Sequence, residues 1–175
     1  MTPNEIAKQL LKEQNLIIPI DVYKLANDLK YKVYEVDLTQ NSDEVIQTAE
    51  TLSVCNKSSN YVPTVIINSI LNPLKKRFVL AREIGRFRIY MDKQNIEQLP
   101  LNDFSLGYIT QANSGDTDTK EAETFAFELL MPESEVFSFY NTLSTPYLEP
   151  FIDKFKLSII TIEDRLKQLS LRYIV

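Results

Sequence analysis

Apolar residues recur at helical spacing near the N-terminus of the chain and predict two amphipathic helices there. The first begins at Thr2, where the sequence Thr-Pro-Asn-Glu has the pattern of a capping box, and runs to about residue 14. The second covers about 21–30, with Asp21 as its N-cap. Both helices are interpreted as core packing rather than as a surface for a partner.

Three runs rich in β-forming residues follow and predict a small sheet. They cover residues 31–37, 51–55 and 61–68, and the polar segment 39–48 is expected to be a loop or a short helical turn. Pro63 cannot donate a hydrogen bond to a neighbouring strand. It therefore belongs at an edge or at the start of its strand.

The most apolar helical segment, 73–90, comes after these strands. Leu80, Ile84 and Phe87 line one of its faces, and further apolar residues cover its sides. A helix with this pattern is normally central and mostly buried, and here it is expected to cover the sheet.

Polar and small residues inside this central helix require an explanation. Arg82 and Arg86 are four residues apart, one helical turn from each other on one face, and Glu83 lies beside them. Gly85 costs about 1 kcal/mol relative to alanine in a helix interior, so it indicates close packing or a site. Taken alone, arginines at this spacing are most often a solvated face.

The second half of the chain is predicted to be mainly helical. Segment 91–117 has little periodicity and is expected to be irregular. Asp118 or Thr119 is predicted to cap a helix that ends near residue 130. Three further helical segments complete the chain, over about 132–142, 146–155 and 159–170.

The last two of these segments have the rhythm of a helix-turn-helix, with Ser158 or Thr161 as the cap of the second helix. The exposed face of that helix is expected to carry charges of both signs. Its residues are Glu163, Asp164, Arg165, Lys167 and Gln168. A DNA-reading helix needs a basic face for the phosphates. The mixed signs therefore favour a packing module, with DNA recognition by these helices as the alternative.

Length and composition fit one globular domain, because the chain has 175 residues, of which 44% are hydrophobic and 25% charged. The net charge of −5 argues against non-specific binding to nucleic acid or to a membrane surface. The single cysteine, Cys55, cannot form an internal disulfide, and neither a signal peptide nor a membrane-spanning run is expected. We therefore expect a cytoplasmic protein.

Two motifs carry candidate chemistry. The sequence Arg-Glu-Ile-Gly-Arg at 82–86 has the spacing of His-Glu-x-x-His, in which two imidazoles bind zinc and the glutamate is the general base. Residues 119–132 read Thr-Lys-Glu-Ala-Glu-Thr-Phe-Ala-Phe-Glu-Leu-Leu-Met-Pro. Together the two stretches resemble the ImmA/IrrE family of metallopeptidase domains. That family carries Arg-Phe-Thr-Leu-Ala-His-Glu-Leu-Gly-His and then Glu-x-x-Ala-Asn-x-Phe-Ala-x-x-Leu-Leu-Met-Pro.

The matching residues occur in both motifs, in the order and with the gap of the family. In the first motif they are Arg77, Phe78, Leu80, Ala81, Glu83 and Gly85, and in the second they are Phe125, Ala126, Leu129, Leu130, Met131 and Pro132. Weaker similarity extends from about residue 6 to about residue 171.

The resemblance implies an α+β, zincin-like fold with a small three-stranded sheet covered by helices. We expect one domain over residues 1–175. Its N-terminal helices occupy 1–30, the sheet and the two motif helices occupy 31–130, and the C-terminal helices occupy 131–175.

The metal ligands of the family are not kept in this sequence. The two histidines fall on Arg82 and Arg86, and the third ligand, a glutamate, falls on Thr119, with Glu121 as the nearest substitute. Only Glu83, at the position of the general base, keeps its type. The chain contains no histidine, and a guanidinium has no lone pair to offer a metal. We therefore predict a catalytically inactive domain with neither zinc nor another cofactor.

The resemblance also suggests what such a domain would do. Family members often serve prophages and other mobile elements, where they act on a helix-turn-helix repressor. We therefore expect a regulator that binds a protein partner of this kind, or a toxin–antitoxin or phage-immunity component that acts by contact. An enzyme that holds Mg²⁺ or Ca²⁺ through carboxylates alone is a further alternative. Its candidate ligands are Glu83, Glu121, Glu123, Asp116 and Asp118.

Arg82 and Arg86 are predicted to supply the positive charge that the metal supplies in the family. Helix 119–130 offers three carboxylates to them, those of Glu121, Glu123 and Glu128. Because arginine forms bidentate pairs with carboxylates, we expect salt bridges between the two motif helices, with Glu83 joining them. The alternative is that both arginines point into solvent.

Overall fold

The chain has an α+β fold, which confirms the predicted fold class. The computed structural model describes residues 1–55, 62–94, 106–110 and 117–174. Within them, the central hydrophobic cluster draws side chains from the N-terminal helices, the sheet, the motif helices and the C-terminal helices.

Two helices precede the sheet, as predicted. Helix α1, Pro3–Glu13, begins at the capping box: the backbone N–H of Glu5 donates to Thr2 Oγ1 (3.3 Å), and the backbone N–H of Thr2 donates to Glu5 Oε2 (2.8 Å). Helix α2, Val22–Asp28, is capped by Asp21. Both helices bury apolar side chains in the core.

The sheet contains the three predicted strands and a fourth. They are β1 (Lys32–Val36), β2 (Thr51–Cys55), β3 (Pro63–Asn68) and β4 (Leu106–Thr110), in the order β1-β3-β2-β4. Strand β3 is parallel to β1 and antiparallel to β2, and β2 is antiparallel to β4. The prediction of an irregular segment over 91–117 is therefore wrong at β4, whose extended conformation is stabilised by pairing with the distant strand β2.

The buried side chain of Asn68, at the end of β3, fixes the connection between β1 and β2. This connection contains a 3₁₀ turn, Leu38–Gln40, and a short helix, α3 (Glu44–Gln47). The Asn68 side-chain amide donates to the carbonyl of Ala49 (3.2 Å), and its backbone N–H donates to the carbonyl of Glu50 (2.9 Å). These two bonds hold the start of β2 and therefore the position of Glu50.

Helix α4, Pro73–Gln94, is the central helix and continues one turn beyond its predicted end at residue 90. The side chain of Asn72 caps it by accepting from the backbone N–H of Leu74 (2.8 Å). The sequence 91–94 contains no glycine or proline to end the helix. Residues 79–85 are all buried, because α4 packs against β3 on one side and against helix α5, Thr117–Leu130, on another.

Gly85 lies where α5 packs against α4. A Cβ atom on Gly85 would be 2.5 Å from Cδ1 of Phe125 and 3.0 Å from its Cβ. The glycine therefore permits the close approach of the two helices, as predicted. Helix α5 begins at Thr117, so the prediction that Asp118 or Thr119 caps it is wrong, because both lie inside its first turn.

Three C-terminal helices complete the chain, namely α6 (Glu133–Tyr140), α7 (Leu148–Phe155) and α8 (Ile159–Gln168). Lys156 ends α7 in the left-handed conformation, with φ of 54°. Ser158 then caps α8 by accepting from the backbone N–H of Thr161 (3.3 Å). Residues 156–158 alone connect the two helices, and a connection of this length is typical of a helix-turn-helix.

The predicted exposed face of α8 is wrong at Arg165, which is buried. Its guanidinium donates to Glu128 Oε2 (2.6 Å) and to the carbonyl oxygen of Met131 (3.1 Å). Arg165 therefore links α8 to the C-terminal end of α5 through these hydrogen bonds. Among the helices of the described residues, none is long and apolar enough to cross a membrane.

Candidate functional site

Glu83 is the buried centre of the candidate site. Helix α4 presents its side chain to β2, and the residue is 0% exposed. Thr51 and Ser53 are two residues apart on β2, so they point to the same face of the sheet. The Thr51 hydroxyl donates to Glu83 Oε1 (3.0 Å), and the Ser53 hydroxyl donates to Oε2 (2.6 Å).

Both arginines of the motif also contact this carboxylate. Arg82 Nε donates to Glu83 Oε1 and Arg86 Nε donates to Oε2, each over 3.3 Å. Within the described residues, Glu83 thus accepts from four donors, two on each oxygen. A buried carboxylate needs such partners, because an unpaired charge in a protein interior is strongly unfavourable.

Arg82 extends the site towards the start of β2. Its Nη1 donates to Glu50 Oε2 (3.0 Å), and its Nη2 donates to the Thr51 hydroxyl oxygen (3.3 Å). Glu50 in turn pairs with Lys75 in the first turn of α4 (2.5 Å). The opposite charges therefore alternate along one continuous chain of contacts. We call these five residues the charge network: Lys75, Glu50, Arg82, Glu83 and Arg86.

Burial opposes the charges of Arg82 and Glu50, and the neighbouring opposite charges outweigh its effect on both. Burial is the largest influence on Arg82, but the carboxylates of Glu83 and Glu50 together hold the pKa of Arg82 above its usual value. Burial likewise acts to raise the pKa of Glu50, yet its bonds with Lys75 and Arg82 lower that pKa overall. Both groups are therefore charged at neutral pH.

The arginines join α4 to β2 rather than α4 to α5, which corrects part of the prediction. Glu121 lies in the second turn of α5, beside the C-terminal end of α4, where Lys93 donates to it (2.6 Å). That hydrogen bond raises the pKa of Lys93. Glu128 pairs instead with Arg165. The expected participation of Glu83 is confirmed, and the alternative of two solvent-facing arginines is wrong, since Arg82 is 3% exposed.

The other predicted site residues are spread along α5. Thr119 is buried in its first turn, and Asp118 pairs with Lys93 (3.3 Å). Glu123 is half-buried. Its negative charge favours the charged form of Arg82, although the two side chains form no direct bond in the described residues. Asp116 lies outside the described residues.

The side chains at this position do not fit a divalent metal. Arg82 and Arg86 stand where the parent motif has imidazoles, and guanidinium groups offer no lone pair and repel a cation. Both oxygens of Glu83 already accept from hydroxyl and guanidinium donors. In the described part of the chain, no three His, Cys, Asp or Glu side chains are grouped so that they could hold a metal ion.

Sequence reasoning identified the α4 members of the site and missed those on β2. Glu50, Thr51 and Ser53 are about thirty residues from the motif, and only the pairing register of β2 brings them to α4. One signal was present in the sequence. Thr51 and Ser53 alternate with apolar residues in a strand, which indicates that one face of that strand is polar.

The fold and the two motif helices define a metallopeptidase-like domain of zincin architecture. The family model Peptidase_M78, described as the IrrE N-terminal-like domain, matches residues 26–167. This chain belongs to that family. The match begins inside α2 and ends inside α8, so it includes both motifs and the C-terminal helices. No curated protein matches the chain.

Proposed function

We propose that this protein is a catalytically inactive member of its metallopeptidase-like family, and that it regulates another protein by binding it. The observation that carries the proposal is the state of Glu83. Its carboxylate is fully buried and accepts from four donors in the described residues. The position of the general base is thus used to hold helix α4 against strand β2.

A peptidase of this kind needs a general base that can reach a water molecule, and a metal that activates this water. Glu83 has no solvent-accessible surface, and its neighbours on α4 are arginines that cannot bind a metal. Each of these points supports a structural role for Glu83 instead of a catalytic one.

The proposed partner is a helix-turn-helix repressor of a prophage or another mobile element. Its support is the family resemblance, in which such repressors are the proteins acted on. A domain that keeps the fold without the chemistry would retain the surface that recognises the repressor. It would then block or stabilise its partner by contact alone, in the reducing compartment that a single cysteine suits.

The first test is a metal and activity analysis of protein purified without a metal-affinity tag. We expect far less than one equivalent of zinc by elemental analysis, and no cleavage of unfolded protein or of candidate repressors. Stoichiometric zinc, or a hydrolysis that Glu83→Gln abolishes, would contradict the proposal.

The second test measures complex formation with candidate helix-turn-helix repressors from the same genome by titration calorimetry. Binding is expected to be unchanged by a chelator and to survive Glu83→Gln in any preparation whose circular dichroism shows an intact fold. Failure to bind any such repressor, or binding that is lost with EDTA, would rule out the proposed mode of regulation.

A further inference from the structure

A pocket of about 290 Å³ lies where helices α4, α5 and α8 meet. Phe78 contributes from α4, Glu123 and Phe127 from α5, and Asp164 and Lys167 from α8. None of these residues belongs to the charge network. Phe78 is one turn before Arg82 on α4, so the pocket is a separate feature that lies beside the candidate site.

Two phenyl rings line this pocket and give it an aromatic wall. The centroids of Phe78 and Phe127 are 4.8 Å apart, with their planes tilted by 53°. The face of an aromatic ring attracts a cation through its quadrupole. The protein already uses this property, because the guanidinium carbon of Arg165 lies 5.9 Å from the centroid of Phe127. The wall is thus suited to a further planar cation.

Two carboxylates make the pocket acidic. Within the described residues, neither Glu123 nor Asp164 forms a hydrogen bond or an ion pair. The charge of Glu123 acts on Arg82, but Arg82 is already neutralised by closer carboxylates. Lys167 is the cation of the lining, and its ammonium lies 3.9 Å from Glu163, which is not among the lining residues.

We infer that this pocket receives an arginine side chain of the partner protein. A guanidinium can stack on a phenyl ring and at the same time form paired hydrogen bonds with a carboxylate, whereas an ammonium is a strongly hydrated point charge. This inference rests on the proposed function, because it specifies the chemistry by which the same partner is recognised.

The location of the acidic groups favours a protein over a small free ligand. Asp164, Lys167 and Gln168 are exposed and spaced along one face of α8, so the mouth of the pocket continues as a polar strip along that helix. A peptide segment can follow this strip while its arginine enters between Phe78 and Glu123. One arginine alone makes few contacts and would bind weakly.

The test is a nuclear magnetic resonance titration of the ¹⁵N-labelled full chain with N-acetyl-arginine amide. The same titration with the citrulline derivative, which is isosteric and neutral, separates charge from shape, and the lysine derivative separates guanidinium from ammonium. We expect saturable shifts of the amides around Phe78, Phe127 and Asp164 with the arginine compound, and about tenfold weaker binding of the other two compounds, equivalent to about 1.4 kcal/mol.

The double variant E123Q/D164N should weaken arginine binding by about tenfold. Glu149 and Asp153 are exposed on α7, so E149Q/D153N removes the same formal charge elsewhere and is the matched control. Equal binding by E123Q/D164N and the parent protein would overturn the inference, as would equal binding of citrulline and arginine. Shifts confined to other surfaces would also overturn it.

The partner titration separates this inference from the proposed function. A repressor that binds the parent protein and binds E123Q/D164N equally well leaves the proposed function intact and removes the arginine pocket. Arginine binding in the pocket without any effect on repressor affinity shows instead that the pocket takes a free ligand, which also overturns the inference. If no repressor binds the parent protein, the proposed function is wrong. The titration with N-acetyl-arginine amide then shows separately whether the pocket binds a guanidinium.

Discussion

At the scale of single residues, the charge network is held together by shared partners. Arg82 forms ion pairs with both Glu83 and Glu50, and Glu83 forms ion pairs with both Arg82 and Arg86. Removing one member of a buried pair leaves the other charge without compensation, and this loss is larger than the net contribution of the intact pair. The network therefore contributes little net stability as a whole, but each member is difficult to replace alone.

Arg82→Ala should lower the free energy of unfolding by about 3–5 kcal/mol, the typical cost of breaking a buried ion pair from one side. Both Glu83 and Glu50 lose a donor in this variant. A urea melt monitored by circular dichroism measures the change.

The matched control is Arg88→Ala on the same helix. Arg88 pairs with Glu13 over 3.5 Å in a partly exposed setting, where such pairs contribute about 0–1 kcal/mol. If Arg82→Ala unfolds within about 0.5 kcal/mol of the parent protein, the range of neutral surface changes, the structural role of the charge network is wrong.

Glu50 should make stability dependent on pH in the acid range. Burial acts to raise its pKa, but Lys75 and Arg82 lower it overall in the folded protein, so the unfolded chain binds this proton at a higher pH than the folded one. The stabilisation is therefore fully present above the usual glutamate pKa of about 4.3. It is lost as the pH falls through the lower folded value.

Glu50→Gln should consequently cost about 1.5–3 kcal/mol at pH 7, as expected for hydrogen bonds to charged groups, and less at pH 3. Urea melts of both proteins at several pH values measure this difference. A gap between the two proteins that stays constant from pH 7 to pH 3 would show that Glu50 does not titrate as described.

At the scale of elements, the packing of α5 on α4 depends on a position without a side chain. A methyl group at Gly85 would overlap the Cγ, Cδ1 and Cβ atoms of Phe125. These atoms lie near the backbone of α5, so the ring cannot move away without a shift of the helix. The gain of up to about 1 kcal/mol in helix propensity does not offset such a shift.

Gly85→Ala should therefore destabilise the protein by about 1–3 kcal/mol, the usual effect of overpacking a core. Phe125→Leu in the same chain should recover part of the loss, because it removes the ring that the methyl group meets. If Gly85→Ala lowers the free energy of unfolding by the same amount in the parent protein and in the Phe125→Leu protein, the methyl group does not act through the ring of Phe125. Melting temperatures and urea melts of the four proteins complete this cycle.

The elements show where sequence reasoning succeeds and where it fails. Helix α4 was predicted from its apolar pattern and β1 to β3 from their β-forming residues, since these signals are local. Strand β4 was missed although Tyr108, Ile109 and Thr110 are β-forming residues, because so short a run becomes a strand only by pairing with β2. The same holds for the candidate site. Arg82 and Glu83 were identified because they are adjacent in the sequence, whereas Glu50 comes close to them only in the folded protein.

At the scale of the whole molecule, the C-terminal helices belong to the same core as the motif helices. Leu148, Phe151 and Phe155 of α7 are fully buried, and Arg165 of α8 is bound to Glu128 of α5. Helix α8 begins with the exposed residues Ile159 and Ile160, where a DNA-reading helix places polar groups for the bases. This arrangement supports packing as the role of the helix-turn-helix-like pair.

The protein should accordingly show no specific affinity for duplex DNA. Its net charge is −5, and the basic residue Arg165 is not available to phosphates because it is buried. Fluorescence anisotropy with duplexes from its own genomic region measures binding. A dissociation constant that rises by about 10³-fold or more between about 50 and 200 mM salt is the signature of six or more phosphate contacts, and this result would favour a DNA-binding regulator instead.

The shared bonding of Glu83 restricts how this protein can evolve. A lineage that acquired a histidine at Arg86 alone would gain one metal ligand and would lose a donor to a buried carboxylate. Zinc sites need three or four donors, so that single step should not confer zinc binding. We therefore expect such a variant to be less stable than the present protein. Because Arg82, Glu83 and Arg86 share their hydrogen bonds, we expect a substitution at any one of them to be tolerated only together with a change at its partners.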